Sequence, residues 1–234
     1  MRNINLWIDR IKRVPMSEEA MNHWLGIARF FRAMEYADMV RTFGDVPFYN
    51  TPLEESDLQA LYKPRDPRTQ VVDSILSDLK FASANVRVSD ASITGDAGLV
   101  INRAVVNAFM SRIMLHEGTW YKYHNLDQAK STEYLTAAKT AADAVIATNT
   151  YSLDADYRSV FSSMSLAASK EVLLFRKYET NQITHSLMSY NNKEPQTGAS
   201  KNAVESYLCD DGLPIGVSPK YAGDKTVDQY IHCA

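Results

Sequence analysis

Two groups of residues in this sequence have the side-chain types and the spacing to do chemistry. Glu35 and Asp38 stand three residues apart, so one turn of a helix would bring two carboxylates to one side, as general acid and base catalysis can require. The second group is the run 118–124, GTWYKYH, which contains four ring-bearing side chains. Rings between two helices either cap the hydrophobic end of the helix pair or offer flat surfaces on which a ligand can stack. Trp120 is the candidate ligand-binding residue of this run.

Other catalytic and cofactor motifs are absent from the sequence. It has no glycine-rich phosphate loop, no Gly-x-Ser-x-Gly elbow and no His-Glu-x-x-His pair, so we expect no cofactor and no metal centre. Asp210-Asp211-Gly212 lacks the rest of a calcium loop and is typical of a turn. Cys209 and Cys233 are either two unlinked thiols or one disulfide. The histidines are scattered, at positions 23, 116, 124, 185 and 232.

Length and charge exclude several classes of function. The chain has 234 residues and a formal charge of −3. This length corresponds to one fair-sized domain or two small ones, with enough residues for a core. A near-balanced chain has no bulk attraction for polyanions, so we expect neither nucleic-acid binding nor adsorption to an anionic membrane. No apolar run is longer than four residues, whereas a membrane-spanning helix needs roughly 20.

The elements that must position these residues are predicted to be mainly helices. No proline lies between Arg68 and Glu194, so long helices can form there. Periodicity and end signals predict helices near Ile4–Ile11, from Ser17 to Phe43, from Asp66-Pro67 onward, from about Asn102 to Glu117, and from about Asp127 to Thr148. Gly44 and Gly118 are predicted helix stops, and a loop of about twenty residues follows Gly44. Glu171–Tyr178 is the predicted strand, although periodicity alone does not exclude a helix there.

Apolar spacing predicts which helix faces are buried. The expected inward residues are Val71, Val72, Ile75, Leu79 and Ala82 in the third helix and Tyr134, Ala138, Ala141, Val145 and Ile146 in the fifth. In the second helix the charges recur every third residue, so their positions shift around the helix axis and occupy no single solvated face. Some of them must therefore be paired at interfaces. We expect Arg32 to pair with Glu35.

The segment 28–48, ARFFRAMEYADMVRTFGDVPF, resembles the signature of the SusD/RagB glycan-binding lipoproteins of the Bacteroidetes. Further segments similar to that family follow in order over positions 1 to 213: RDPRTQVVDSILSDL at 65–79, SRIMLHEGTWYKYH at 111–124, an alanine-rich helix, and EVLLFRKY at 171–178. Near the end, Tyr207 and Asp211-Gly212-Leu213-Pro214 match a Tyr-x-x-x-Asp-Gly-x-Pro segment of the family.

The resemblance implies a fold and a function. The expected fold is mainly α, with tetratricopeptide-like helix pairs and long irregular loops: one partial domain over 1–234, a helical scaffold over about 1–149 and a loop and strand region over about 150–234. The expected function is non-catalytic capture of oligosaccharide or polysaccharide for delivery to a SusC-like TonB-dependent transporter. Sugar contacts would come partly from the loop at about Thr184 to Gly198, where Tyr190 would stack on a ring and Asn191 would hydrogen-bond to hydroxyls.

The family also implies a location. Its members are attached to the outer face of the outer membrane by a lipid-modified N-terminal cysteine, so the sequence is expected to be the middle of a longer exported lipoprotein that meets the membrane only through that anchor. Two other functions stay open. One is a helical scaffold that binds protein and no glycan; the other is a glycoside hydrolase, which would need two carboxyl groups facing each other in a cleft.

Overall fold

A computed structural model describes residues 1–89, 97–187, 189 and 198–221. The chain divides into two compact units, Met1–Lys177 and Tyr178–Ala234. The helices of the first unit are α1 (Arg2–Arg10), a 3-10 turn (Ile11–Arg13), α2 (Glu18–Phe43), α3 (Leu58–Leu61), α4 (Arg68–Asn85), a 3-10 turn (Ala97–Leu99), α5 (Arg103–Tyr123), α6 (Gln128–Ile146) and α7 (Tyr157–Ser162). The prediction of a mainly α fold is confirmed over these ranges.

Helix α2 begins and ends where the sequence predicts. The hydroxyl oxygen of Ser17 accepts a hydrogen bond from the backbone N–H of Ala20 at 3.2 Å, which satisfies one of the free donors at the helix start. At the other end Gly44 has φ of +73°, a conformation that costs a residue without a side chain little. Glu18 and Glu19 in the first turn and Arg41 in the last complement the helix dipole.

Helix α4 begins at the predicted place but with a different cap. Asp66 does not cap it; the N-cap residue is Pro67, and the backbone N–H of Arg68 donates to the carboxylate of Asp45 at 2.8 Å. The carboxylate of Asp66 instead accepts from the backbone N–H of Phe48 and from the Lys63 ammonium, both at 2.6 Å. The loop after α2 therefore supplies a capping carboxylate to α4, and the Asp66 carboxylate holds that loop through the Phe48 N–H.

Gly118 does not end helix α5, which continues to Tyr123. A Cβ atom added at Gly118 would stand 2.7 Å from the Leu135 side chain and 3.0 Å from its backbone nitrogen, so the glycine allows α6 to approach closely. The hydroxyl of Ser131 on α6 donates to the carbonyl of Gly118 at 2.8 Å. The connection between the two helices is residues 124–127, short enough to make them antiparallel neighbours.

The helices pack as pairs around one core. Helix α2 packs with α4, α5 packs with α6, and α4 also packs with α5. The predicted inner face of α4 is fully buried, as are Tyr134, Ala138 and Ala141 of α6. Ile146 was expected inward, but it is 72% exposed because α6 ends there, beyond the reach of its neighbours.

The expected pairing of Arg32 with Glu35 is wrong. The guanidinium of Arg32 makes two hydrogen bonds to the carboxylate of Asp78 on α4, at 2.7 and 2.8 Å, while Glu35 lies on the exposed side of α2. The Arg32 guanidinium also donates to the side-chain oxygen of Asn5 at 3.2 Å. One arginine thus joins α1, α2 and α4, which confirms that some charges of α2 are paired at interfaces.

The predicted strand Glu171–Tyr178 is neither a strand nor a helix. Leu173 and Leu174 are apolar because they pack against the helical core, and the backbone N–H of Phe175 donates to the carbonyl of Gly98 at 2.9 Å. Without a second strand beside it, this extended segment forms no ladder. Within the described residues, no helix is long and apolar enough to cross a membrane.

In the second unit, the described residues form one short helix and two isolated bridges. Helix α8 is Lys201–Glu205, capped by the side chain of Ser200. The bridges join Glu179 with Ile183 and Leu208 with Pro214. Asp211-Gly212 forms the expected turn, with φ of +75° at Gly212. Cys209 is buried, and Cys233 lies outside the described residues.

Candidate functional site

The last two turns of α5 divide the predicted ring cluster between two faces. Tyr121 points into the core, where its ring packs edge-on against Tyr134 at 5.4 Å and its hydroxyl lies 2.7 Å from that of Thr69. Burial is the main reason why the pKa of Tyr121 is raised. Trp120, Tyr123 and His124 lie on the outer side; we call these three residues the α5 aromatic end. Tyr121 therefore belongs to the core, and the α5 aromatic end keeps the candidates for a stacking surface.

The indole of Trp120 is partly covered. The imidazole of His124 stacks on it, with ring centroids 3.9 Å apart and planes inclined by 22°, and the guanidinium carbon of Arg68 lies 4.5 Å from its centroid. Trp120 still has 36% of its surface exposed, and Tyr123 has 75%. A flat ligand could therefore reach part of the indole at once and more of it if His124 swung away.

A buried ion pair holds this end of α5 in place. The guanidinium of Arg68 donates two hydrogen bonds to the carboxylate of Glu117, at 2.9 and 3.0 Å, and the Glu117 side chain is only 2% exposed. The planar fork of the arginine fixes the geometry of both partners. Because Arg68 begins α4, the pair ties the start of α4 to the base of the aromatic end.

A polar groove of about 620 Å³ runs along α4 beside α2 and the loop after it. Its walls carry polar side chains of the kinds that can hydrogen-bond to the hydroxyl groups of a ligand, and the ring of Phe48 adds an apolar surface. We call it the α2/α4 groove; its polar lining includes Arg29, Asn50, Thr69, Gln70, Asp73, Ser74 and Ser77. Sequence reasoning missed it because its residues come from three separated segments, and the only available signal was the polar spacing of Gln70, Ser74 and Ser77.

Asp73 is held firmly at the edge of this groove. Its carboxylate accepts from the Lys130 ammonium and from the Tyr134 hydroxyl, both at 2.8 Å. The hydrogen bond that the Lys130 ammonium donates to Asp73, with a second one that it donates to Glu133, raises the pKa of Lys130 to about 12. Burial, and then the Asp73 carboxylate, raise the pKa of Tyr134 as well. The groove wall is therefore rigid and its charges are matched.

The remaining sequence-predicted site residues are Glu35, Asp38, Tyr190 and Asn191. Tyr190 and Asn191 lie outside the described residues. Glu35 and Asp38 are both exposed on α2, and the Asp38 carboxylate accepts from the Arg41 guanidinium at 3.0 Å. In the described part of the chain, no group of three or more His, Cys, Asp or Glu side chains could hold a metal ion.

Comparisons with known proteins agree with the motifs. No family model matches the chain. A SusD-like protein of Formosa agariphila is 30% identical over 149 residues, 64% of this chain and 25% of the relative; a second from the same organism is 24% identical over 191 residues, 81% of this chain and 34% of the relative. The chain thus matches a quarter to a third of the length of these curated relatives.

The fold comparison covers more of the chain. The crystal structure of a SusD-like carbohydrate binding protein from Bacteroides fragilis NCTC 9343 superposes with a TM-score of 0.75 at 18% identity, over 94% of this chain and 40% of the other. The ordered motifs, the sequence relatives and the helical fold together support the assignment of this chain to the SusD-like family.

Proposed function

We propose that the protein to which this chain belongs captures an oligosaccharide or polysaccharide without cleaving it. The observation that carries the proposal is the family assignment, because a protein with the same fold over nearly the whole of this chain is described as carbohydrate binding. The two surfaces described above suit such a ligand. Sugar rings combine apolar C–H faces, which pack on aromatic rings, with hydroxyl groups, which need hydrogen-bonding partners.

The α5 aromatic end and the α2/α4 groove supply these two kinds of contact. Trp120 and Tyr123 offer exposed rings, and the groove offers amide, hydroxyl and carboxylate groups that are held by their neighbours. Trp120 therefore stays our candidate for a stacking residue. Tyr190 and Asn191 stay candidates for a ring contact and a hydroxyl contact from the second unit.

Capture without cleavage is supported by the state of the buried carboxylates. A glycoside hydrolase needs two carboxyl groups that face the scissile bond and are free to exchange a proton or attack the sugar. In the helical unit the buried carboxylates of Asp78 and Glu117 are each engaged on both oxygens by an arginine. We expect no release of reducing sugar from any glycan that the protein binds.

The family assignment also supports a location and a partner. We propose that the whole protein is a lipoprotein on the outer face of the outer membrane and passes its glycan to a SusC-like TonB-dependent transporter. Purification of the whole protein from its native membrane, with and without glycan, would test the partnership. Co-purification of the transporter while every glycan fails to bind would favour the protein-interaction scaffold instead.

Affinity electrophoresis tests the glycan proposal directly. Soluble polysaccharides in the gel should retard the protein. Trp120→Ala should weaken the affinity by about tenfold, because contacts with an aromatic ring contribute roughly 0.5–1.5 kcal/mol beyond the area they bury and a tenfold change is about 1.4 kcal/mol. Trp120→Phe is the matched control, since it keeps a ring and should keep most of the retardation. No retardation across a broad panel of neutral and acidic glycans would overturn the proposal.

A further inference from the structure

A second groove, of about 390 Å³, lies between α2 and α5, the two helices that flank α4. We call it the α2/α5 groove. Its floor is apolar and is formed by Met34 and Ala37 of α2 with Phe109 and Ile113 of α5. These four side chains pack against the core yet remain only half-buried. Water therefore still meets apolar surface that a ligand with a flat apolar face could cover.

The rim of this groove carries charges of both signs, and most of them are compensated. The Arg41 guanidinium donates to the Asp38 carboxylate at 3.0 Å. The carboxylate of Glu117, at the end of the groove, is taken up by the two hydrogen bonds from Arg68. The pairs leave no net negative charge on the rim.

Arg112 is the exception. It lies exposed on α5 at the rim, one turn before His116, and no described residue forms an ion pair or hydrogen bond with its guanidinium. The buried carboxylate in the lining of this groove, that of Glu117, is already satisfied by another arginine. The rim therefore presents one uncompensated cation above an apolar floor.

We propose that the α2/α5 groove binds a saccharide unit that carries an anionic group, a carboxylate or a sulfate, with Arg112 as the partner of the anion. The proposal rests on the glycan capture proposed above. A guanidinium makes two parallel hydrogen bonds to a carboxylate or a sulfate, and the apolar face of the sugar ring fits over the floor. The volume of the groove is at the lower end of the range of small-ligand sites, which suits one or two sugar units.

The α2/α4 groove differs in the way that matters for selectivity. The arginines there face carboxylates: Arg32 is bonded to Asp78, and Arg29 lies 3.8 Å from the same carboxylate. The two arginines share this one carboxylate, but the lining also includes Asp73, so two arginines and two aspartates balance in formal charge and the groove suits neutral units. The protein would then contact the anionic units of a glycan at Arg112 and its neutral units elsewhere.

Calorimetric titration of the 234-residue chain with three probes tests the proposal. The probes are trigalacturonic acid, which is carboxylated, a sulfated oligosaccharide of similar size, and neutral maltotriose. Arg112→Gln should weaken binding of a charged probe by about tenfold, the usual effect of losing a charge-assisted hydrogen bond. Arg10→Gln is the matched control, because Arg10 is also an exposed helical arginine but lies on α1, away from the groove.

Each result decides between the alternatives. Binding of either charged probe that is weakened about tenfold in Arg112→Gln and kept in Arg10→Gln supports the proposal, and the two charged probes tell carboxylate from sulfate. Equal affinity of Arg112→Gln and the unaltered chain overturns it. Binding of maltotriose with no binding of the charged probes overturns it while the glycan proposal stands. Binding of none of the three probes also overturns it, and the broad panel in affinity electrophoresis then decides whether the glycan proposal stands. Sodium sulfate that binds as tightly as the sulfated sugar would reduce the groove to a bare anion site.

Discussion

Two buried arginine–carboxylate pairs stabilise the helical unit, and they differ in what surrounds them. Arg32 with Asp78 and Arg68 with Glu117 each make two hydrogen bonds across helices, between residues 46 and 49 positions apart in the sequence. The first pair lies at the base of the α2/α4 groove and is deeply buried there: its side chains are 7% and 5% exposed, and the guanidinium also bonds to Asn5. The second pair has an arginine that is 12% exposed and lies against Trp120.

The difference separates a structural pair from one that supports a surface. The more deeply buried arginine depends more on its carboxylate, because less water can replace it. A charge at the edge can recover part of its solvation if the partner is lost. While the pair is intact, the fixed guanidinium can also position a neighbour such as Trp120. The same arginine–carboxylate interaction therefore stabilises the core at Arg32 and supports the α5 aromatic end at Arg68.

The largest effect is expected from Asp78→Ala. The substitution leaves the Arg32 guanidinium buried without its carboxylate, and the free energy of unfolding should fall by about 3–5 kcal/mol. Urea unfolding followed by circular dichroism measures it. Asp38→Ala is the control, because it breaks a solvent-exposed pair with Arg41 and should cost about 0–1 kcal/mol. Similar losses in the two variants would show that Arg32 is not deeply buried.

Glu117→Ala should cost less, about 2–3 kcal/mol, because the Arg68 guanidinium can reach water and keeps its contact with the Trp120 ring. The same unfolding measurement gives the value, and the tryptophan emission should shift as Arg68 moves. A loss equal to that of Asp78→Ala would remove the distinction between the two pairs.

Much of the helical framework could be predicted from the sequence because its signals are local. Ser17 and Gly44 are cap residues that act on their own helix, and the apolar spacing of α4 directly reports its buried face. The prediction that Gly118 ends α5 was wrong because a glycine can either end a helix or allow another helix to approach closely. Only the position of Leu135 decides between these two roles. The strand prediction failed for a related reason, since an apolar run does not reveal what covers it.

The two ion pairs could not be predicted in the same way. Spacing within one helix suggested Glu35 for Arg32, whereas the partner is on another helix. Of the candidate site, Trp120 was predicted from its residue type, but the cover provided by Arg68 and His124 depends on the packing of α4 against α5. Arg112 was missed altogether, because an exposed arginine is ordinary until its neighbours are known to be paired.

A third ion pair, Lys63 with Asp66, extends the comparison to the surface. Burial opposes ionisation of Asp66, but the hydrogen bonds from Lys63 and from the Phe48 N–H outweigh it and lower the pKa of Asp66 below its ordinary value of 3.8. Its stabilisation, about 1 kcal/mol after allowance for solvent screening, is present above pH 3.8 and lost as the pH falls through the lowered pKa. The difference in unfolding free energy between the unaltered chain and Asp66→Asn should therefore shrink below pH 3.8, and a difference that grows there would contradict this assignment.

The smallest effect on stability is expected at the α5 aromatic end itself. His124→Ala removes an exposed ring that stacks on Trp120, so the free energy of unfolding should change by no more than about 0.5 kcal/mol. The indole should nevertheless become more accessible, which acrylamide quenching of its fluorescence measures; Trp120→Phe isolates its contribution from those of Trp7 and Trp24. Unchanged quenching would show that His124 does not cover the indole. Increased quenching with tighter glycan binding would show that the imidazole occupies the face on which a sugar stacks, and that Arg68 alone holds the ring ready for it.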